Sequence, residues 1–554
     1  MSTYARINIL VGLSVGIAAV TANGMEKKKH VVERERPAEW KNLVFGGRFA
    51  DRFLPMPDLG GMTSDTWGET NVVPREVRNG IEDPEWSYWG GNTMLEEDGK
   101  FHLMVARWPE DAPKGHMSWF DSEVAHAVSD SPYGPFEVTQ VIGPGHNPTY
   151  YRTQSGQYML YIIDGWYTAD SVNGPWTEVE VEYDSRDRKN TKQKNYLHNN
   201  TFIKREDGSF YMLNRHGQAW FSKDGIDTYY RVSPEIVYPK VPGRFEDPLV
   251  WKDHIQYHLI VNDWAGRIAW HQRSRDGVNW VVEPGEAYMP GIAVNENGTK
   301  EDWFKFERIR VVQDEYGRPF AANFAVIDVL KHSDLPNDKH NSKLIVIPMT
   351  VGRLLTVMNK EPITAETKTI RVKVQAEDDF NPHTDLDLDS LRFGASSEVN
   401  FGRGCRVVKS RKQGDDLVLV FDAKGNGFSE ENFAGKLLGK NKEGKMLFGW
   451  TRLPGIDYLE PILSARLPVF KGKTANVEVQ NFGQVASESA VVTVIVDDRE
   501  VASGAVPALN PFEKIDVKLK TGKVQLTPKS KITVRLDCKG KTVEELTRSM
   551  KERK

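Results

Sequence analysis

The stretch Arg244-Phe245-Glu246-Asp247-Pro248-Leu249-Val250-Trp251 sets two carboxylates directly before a short apolar run. A turn at Lys252-Asp253-His254 follows, and then a second apolar run from Tyr257 to Val261. Short apolar runs bounded by turn residues read as buried strands, so the order is acid, strand, turn, strand. The same layout recurs at four other places along the chain.

Gly91-Asn92-Thr93-Met94-Leu95 leads to a turn at Asp98-Gly99 and a strand from Phe101 to Ala106. His146-Asn147-Pro148-Thr149-Tyr150 leads to Ser155-Gly156 and a strand from Tyr158 to Ile163. His198-Asn199-Asn200-Thr201-Phe202 leads to Asp207-Gly208 and Phe210 to Leu213, and Glu307-Arg308-Ile309-Arg310-Val311 to Tyr316-Gly317 and Pro319 to Phe324. With Asn92, Asn147, Asn200, Asp247 and Glu307 as equivalent points, the spacings are 55, 53, 47 and 60 residues. Repeats of that length, each made of short strands, predict an all-β fold built on a five-bladed β-propeller. A long β-sandwich is the rival, but it has no reason to repeat its turn chemistry in register.

Beyond Val351 the repeat stops. Strict alternation at Thr369 to Ala376, and again at Ala475 to Val479, Ala490 to Val496 and Ile515 to Leu519, predicts two small β-sandwich domains after the propeller. The expected division is a signal peptide at 1–24, a linker and irregular segment at 25–70, and the propeller at 71–364. A β-sandwich at 365–455, an immunoglobulin-like β-sandwich at 456–547 and a charged tail at 548–554 follow. A chain of 554 residues has ample length for these cores.

Net charge is -4 with both signs mixed, which gives no electrostatic case for nucleic acid as a partner. The apolar run Ile9 to Val20 is shorter than the ~20 residues of a spanning helix and ends in small residues. It reads as a cleaved secretory signal, which implies a periplasmic or extracellular protein with no membrane span after cleavage. The two cysteines, Cys405 and Cys538, fall in different domains and read as buried free thiols, with an inter-domain disulfide as the alternative in an oxidising compartment.

Innermost strands of a propeller start at one rim of the central channel, and second strands end there. The rim therefore gathers Asn92, Arg107, Trp108, Glu123, His146, Asn147, Asp164, Trp166, His198, Asn200, Arg215 and His216, with Glu246, Asp247, Asp263, Trp264, Arg267, Glu307 and Arg308. Carboxylates, aromatic rings and guanidinium groups dominate it. Arg107, Arg152, Arg215, Arg267 and Arg308 suit a sulfated or carboxylated sugar, because the guanidinium fork grips such anions bidentately. Trp86, Trp89 and Trp166 would stack on sugar faces. No spacing forms a recognisable metal site.

Five short blades, the Asp247-Pro248 pair at a first strand, and the hairpin signatures Gly134-Pro135-Phe136, Gly174-Pro175-Trp176 and Ser274-Arg275-Asp276-Gly277-Val278-Asn279-Trp280 together resemble the five-bladed propeller glycoside hydrolases of family 43 and relatives, including family 117. The resemblance spans Asn71 to Val351. It implies an exo-acting hydrolase with an Asp base on the first blade, a tuning Asp on the second and a Glu acid on the third. This chain has Asn92, Asn147 and Asn200 at those places. Its carboxylates stand on blades four, five and one instead, so Asp247, Glu307 and Glu123 are the expected catalytic residues, acting by inversion on an acidic polysaccharide or oligosaccharide. The remaining rim residues would bind the sugar. No cofactor is expected, and a structural divalent cation in the channel is left open. A polysaccharide lyase on the same fold and a non-catalytic glycan-binding propeller are the alternatives.

Overall fold

The computed structural model describes residues 31–188, 197–232 and 235–550. The leader at 1–24 and the end of the tail lie outside the described residues. Blade one is an antiparallel sheet of Trp86–Leu95, Phe101–Pro109, Glu123–Ser129 and Glu137–Pro144. Blade two consists of Thr149–Arg152, Tyr158–Ile162, Gly165–Ala169 and Thr177–Glu178. Blade three has Thr201–Lys204, Phe210–Leu213, Ala219–Ser222 and Tyr229–Arg231, with Tyr183–Asp184 added at its edge. Blade four pairs Phe245–Lys252, Tyr257–Asp263, Ile268–Ser274 and Val281–Glu286, and blade five Lys305–Gln313, Pro319–Ile327 and Ser342–Pro348. Each innermost strand packs against that of the next blade, and the fifth returns to the first, closing the ring.

Chain from before blade one completes the outer edge of blade five. Ile81 donates its N–H to Leu344 O at 3.0 Å, and the Asn79 amide pairs with both backbone groups of Val346 at 2.8 Å. An otherwise open sheet edge is thereby covered.

The register differs from the expected one. Gly90, Asn147, Asn199, Asp247 and Arg308 all adopt positive φ, at 63°, 53°, 54°, 54° and 54°. They are the structurally equivalent points, so the expected equivalence is displaced by two residues in blade one and by one in blades three and five. In blades one and five the cause is bulging, with register shifts between Trp89 and Asn92 and between Glu307 and Arg310, and blade four carries a like bulge between Glu246 and Leu249 without displacement. A bulge inserts a residue against one partner and changes which face each side chain takes.

The segment expected to be a linker is a strap held by a few buried anchors. Arg34 bonds both carboxylate oxygens of Asp263, Trp40 packs edge-on against Trp270 at 5.3 Å, and Phe49 and Met56 enter the core of blades four and five. Its apolar anchors are spread singly among charges, without a period to mark them.

The first C-terminal sandwich faces a sheet of Leu355–Val357, Thr369–Val374, Asp416–Asp422 and Val407–Gln413 with one of Arg392–Gly394, Ala434–Lys440 and Met446–Arg452. It starts at Leu355, ahead of the expected 365, because that strand pairs with Thr369–Val374 and its Leu355 lies in the sandwich core. The second sandwich packs Leu463–Ala465, Val469–Lys471, Thr474–Asn481 and Lys514–Lys520 against Arg499–Val506, Ala490–Val496, Lys531–Cys538 and Lys541–Ser549. Its last strand runs into the expected tail. Buried ion pairs dock both units: Arg186 to Glu478 at 2.8 Å and Arg188 to Glu544 for the second, and the blade-four pair Arg273–Glu283 bonded to Ser396 for the first. Cys405 and Cys538 are both free. Among the described residues no helix is long and apolar enough to cross a membrane.

Candidate functional site

Bulges on blades four and five turn three acids toward the channel axis. Glu246, Asp247 and Glu307 each bring a carboxylate oxygen within 4.8 Å of the others. Each is met by cations. Arg215 Nη2 lies 2.5 Å from Glu246, Arg308 Nη1 lies 3.2 Å from Asp247, and Glu307 takes Lys305 Nζ at 3.2 Å and Lys331 Nζ at 2.5 Å. Asp247 and Glu307 are buried, whereas the Glu246 side chain is 14% exposed and that of Arg215 38%. Exposure therefore increases from the axis toward Glu246, Arg215 and Lys331.

The acids are driven apart in basicity. Burial, and then the negative charge of Asp247, outweigh Arg215 and push the Glu246 carboxyl up to about 7. Burial acts on Glu307 in the same direction, but Lys331 and Lys305 override it and hold that carboxyl down at about 2. Lys331 is in turn raised, because Glu307 and Glu246 outweigh its own burial. Near neutral pH the site thus offers a proton on Glu246 beside an ionised Glu307. Opposed carboxyl groups of this kind are how one site supplies an acid and a base.

Three close carboxylates are also a donor set for a hard cation. Here, however, three acids already face four cations, Arg215, Lys305, Arg308 and Lys331. A resident dication would sit among ammonium and guanidinium groups with no carboxylate charge left to match it. The residues do not fit one.

Of the expected catalytic trio, Asp247 and Glu307 come together. Glu123 pairs instead with Arg107 at 2.8 Å, and that guanidinium lies over the Trp86 ring at 3.8 Å. One oxygen of Asp247 and one of Glu307 lie within 4.8 Å of each other.

Several expected sugar contacts belong to the core. Trp108 and Trp166 are 1% and 5% exposed, the first packed on His116 and His146 and the second on Tyr151, Tyr161 and Phe202. Rings so enclosed have no face for a sugar, and the same holds for Trp89, 2% exposed. Asp263 anchors the N-terminal strap through Arg34. Asn92 bonds both backbone groups of Tyr150, joining blade one to blade two. Arg152 pairs with Glu97 at the far end of its strand, off this rim. Asn200 is fully buried, while its neighbour Asn199 accepts from Asn147 Nδ2 at 2.8 Å. His146 contacts Ser122 Oγ at 3.0 Å, and His198 contacts Asp164 at 3.4 Å.

Trp264 lies beneath both Arg244 and Lys305 at 5.2 Å. Arg267 donates to Phe304 O at 3.3 Å, and His216 is exposed. Sequence reasoning missed Lys305, Lys331, Trp119 and Phe120. Lys305 stands two residues before Glu307 in one strand, and a period of two could have found it. Lys331 arrives on a loop and carries no such signal. Trp119 and Phe120 stack at 3.7 Å on a 3-10 turn inserted in blade one, Phe120 being 70% exposed. They border a cavity of about 520 Å³ shared with His146, Asp164 and His198.

No family model and no curated protein matches the sequence. Among solved structures, a family 117 glycoside hydrolase of the marine bacterium Zobellia galactanivorans is similar at 14% identity and a TM-score of 0.36, over 49% of this chain and 89% of its own. An endo-arabinase of Bacteroides thetaiotaomicron aligns at 12% identity and 0.31, over 48% of this chain and 94% of its own. A family 43 glycoside hydrolase of Bacillus licheniformis aligns at 9% and 0.33, over 84% and 89%. The fold itself stands on the strand pairings above.

Proposed function

We propose that the chain is a secreted glycoside hydrolase that works at the carboxylate mouth of its propeller on an anionic polysaccharide or oligosaccharide. The observation that carries this reading is the cluster of Glu246, Asp247 and Glu307, within 4.8 Å, in which Glu246 is pushed up to about 7 and Glu307 down to about 2. Glu246, the most exposed of the three, protonates the glycosidic oxygen as the bond to the sugar carbon breaks. Glu307 stays ionised under its two lysines and stabilises the cationic sugar carbon until water adds to it, the proton of that water passing to the Glu246 carboxylate. Asp247 keeps Arg308 in place and, through its charge, keeps the proton on Glu246.

One cation more than the acids, with Arg215 and Lys331 reaching toward solvent, supports an anionic substrate. Exo-action is supported by Arg308, Asn147 and Asn199, which are buried beside the cluster and bonded to one another across blades. The test is release of reducing ends from a panel of acidic glycans by the wild-type chain and by Glu246→Gln. Release by wild type that the variant lacks supports the reading, and equal rates in both would remove Glu246 from it.

A lyase is favoured by one observation. His198, near Arg215, is held below its usual value by burial first, and so is a neutral base at the mouth. Unsaturated sugar products in place of hydrolysed ends would identify that chemistry.

A further inference from the structure

The channel has a second mouth, at the opposite ends of the innermost strands. A cavity of about 680 Å³ opens there, with Thr149, Thr201 and Arg310 among its walls. Arg310 follows Arg308 by two residues in the same strand and is 3% exposed. Its guanidinium bonds only neutral oxygens: Ile309 O at 2.8 Å, Pro248 O at 3.3 Å, and Thr149 Oγ1 and Asn200 O at 3.4 Å. Its Nε has no partner.

Among the described residues no carboxylate pairs with Arg310. The acid that acts on it through space, Asp247, is already bonded to Arg308. By contrast, Lys252 in the same cavity wall is matched by Glu206 at 2.6 Å. A buried guanidinium keeps its charge, and a buried charge without a counter-charge costs several kcal/mol. That cost falls when an anion small enough to enter the cavity settles against the one N–H still unused, that of Nε.

We propose that Arg310 is an anion site, at which a small inorganic anion enters by the second mouth and rests against the guanidinium beside the Thr149 hydroxyl. The site is separate from the carboxylate cluster and stands whether or not that cluster hydrolyses sugars. It counts against the divalent cation left open for the channel, since the axis carries Arg308 and Arg310 one after the other.

The test uses the full chain. Crystals soaked in bromide, and others in phosphate, are expected to show density within hydrogen-bond reach of the Arg310 guanidinium, the two soaks separating a halide from an oxyanion. Density in either supports the site, and density in neither overturns it. In solution, the thermal midpoint is followed at fixed ionic strength as bromide replaces gluconate. A saturable rise, following the logarithm of one plus ligand over Kd, is expected of binding to the native state. Bromide is used because sulfate and phosphate stabilise by exclusion alone. Thr149→Asp places a fixed carboxylate beside Arg310 and should abolish the bromide response without lowering the bromide-free midpoint. Thr149→Asn, neutral, should keep the response. An unchanged bromide response in Thr149→Asp sinks the proposal, and the wild-type crystals decide it if that variant does not fold.

Discussion

Two arcs of one ring share a backbone and differ in chemistry. Asn147 and Asn199 on blades two and three have the same positive φ as Asp247 and Arg308 on blades four and five. On the first arc the amides bond each other at 2.8 Å, neutral to neutral. On the second, a carboxylate meets a guanidinium at 3.2 Å and two further acids crowd beside them. The repeated conformation is a property of the fold, since Asn and Asp tolerate the left-handed region. Catalytic potential comes from which arc carries charge. Gly90 sits at the seam, where a Cβ would come 3.2 Å from Asn147 Oδ1 and 3.3 Å from Arg308 Nε.

The largest expected break in this comparison is Glu246→Gln, which removes the proton donor of the charged arc while keeping its shape. Turnover should fall about 10²–10⁴-fold with folding intact, read from initial rates of reducing-end release and from circular dichroism. Gly90→Ala strikes the seam. A left-handed residue with a crowded Cβ should cost about 1–3 kcal/mol, measured as a lower urea midpoint at unchanged slope.

Stability against pH sharpens the contrast further. Glu246 is raised from 4.5 to about 7, so its contribution is complete below pH 4.5 and is lost as pH rises through 7. Glu307, lowered from 4.5 to about 2, contributes fully above pH 4.5 and loses this as pH falls through 2. Urea titrations from pH 4 to 8 should therefore show a decline that is shallower in Glu246→Gln than in wild type, the remainder belonging to Glu110 and Asp334, which burial raises to about 8 and about 7. An identical decline in both would place its origin elsewhere. The smallest effect is expected of Lys331→Met, which leaves Glu307 with Lys305 alone. The acid limb of kcat/KM should move upward by about one pH unit, whereas loss of a merely structural lysine would lower the profile without moving it.

Much of the ring was legible before any coordinates. Polar clusters before apolar strands, turns in register and blade-length spacing are local features, and local features survive in a sequence. Asp247 and Glu307 were found because each stands at the head of such a strand. Glu246 was found as a neighbour but assigned to sugar binding, because proximity in sequence says nothing about which carboxyl is buried and which is bonded to lysine. Trp108 and Trp166 are misplaced for the same reason: an aromatic ring near a rim can face the channel or the core, and both are enclosed by neighbouring rings.

The sequence by itself determined the all-β class, the number of blades and the strands from which the acids project. These follow from periods of two and from turn chemistry, which act over a few residues. Tertiary structure alone decided that the N-terminal segment is a strap held by Asp263, that Lys331 comes from a distant loop to Glu307, and that Arg310 lies buried without an acid. Pairings of that kind join residues 24 to 229 positions apart, and the energy that selects them is burial and charge compensation, quantities that exist only once the chain has closed on itself.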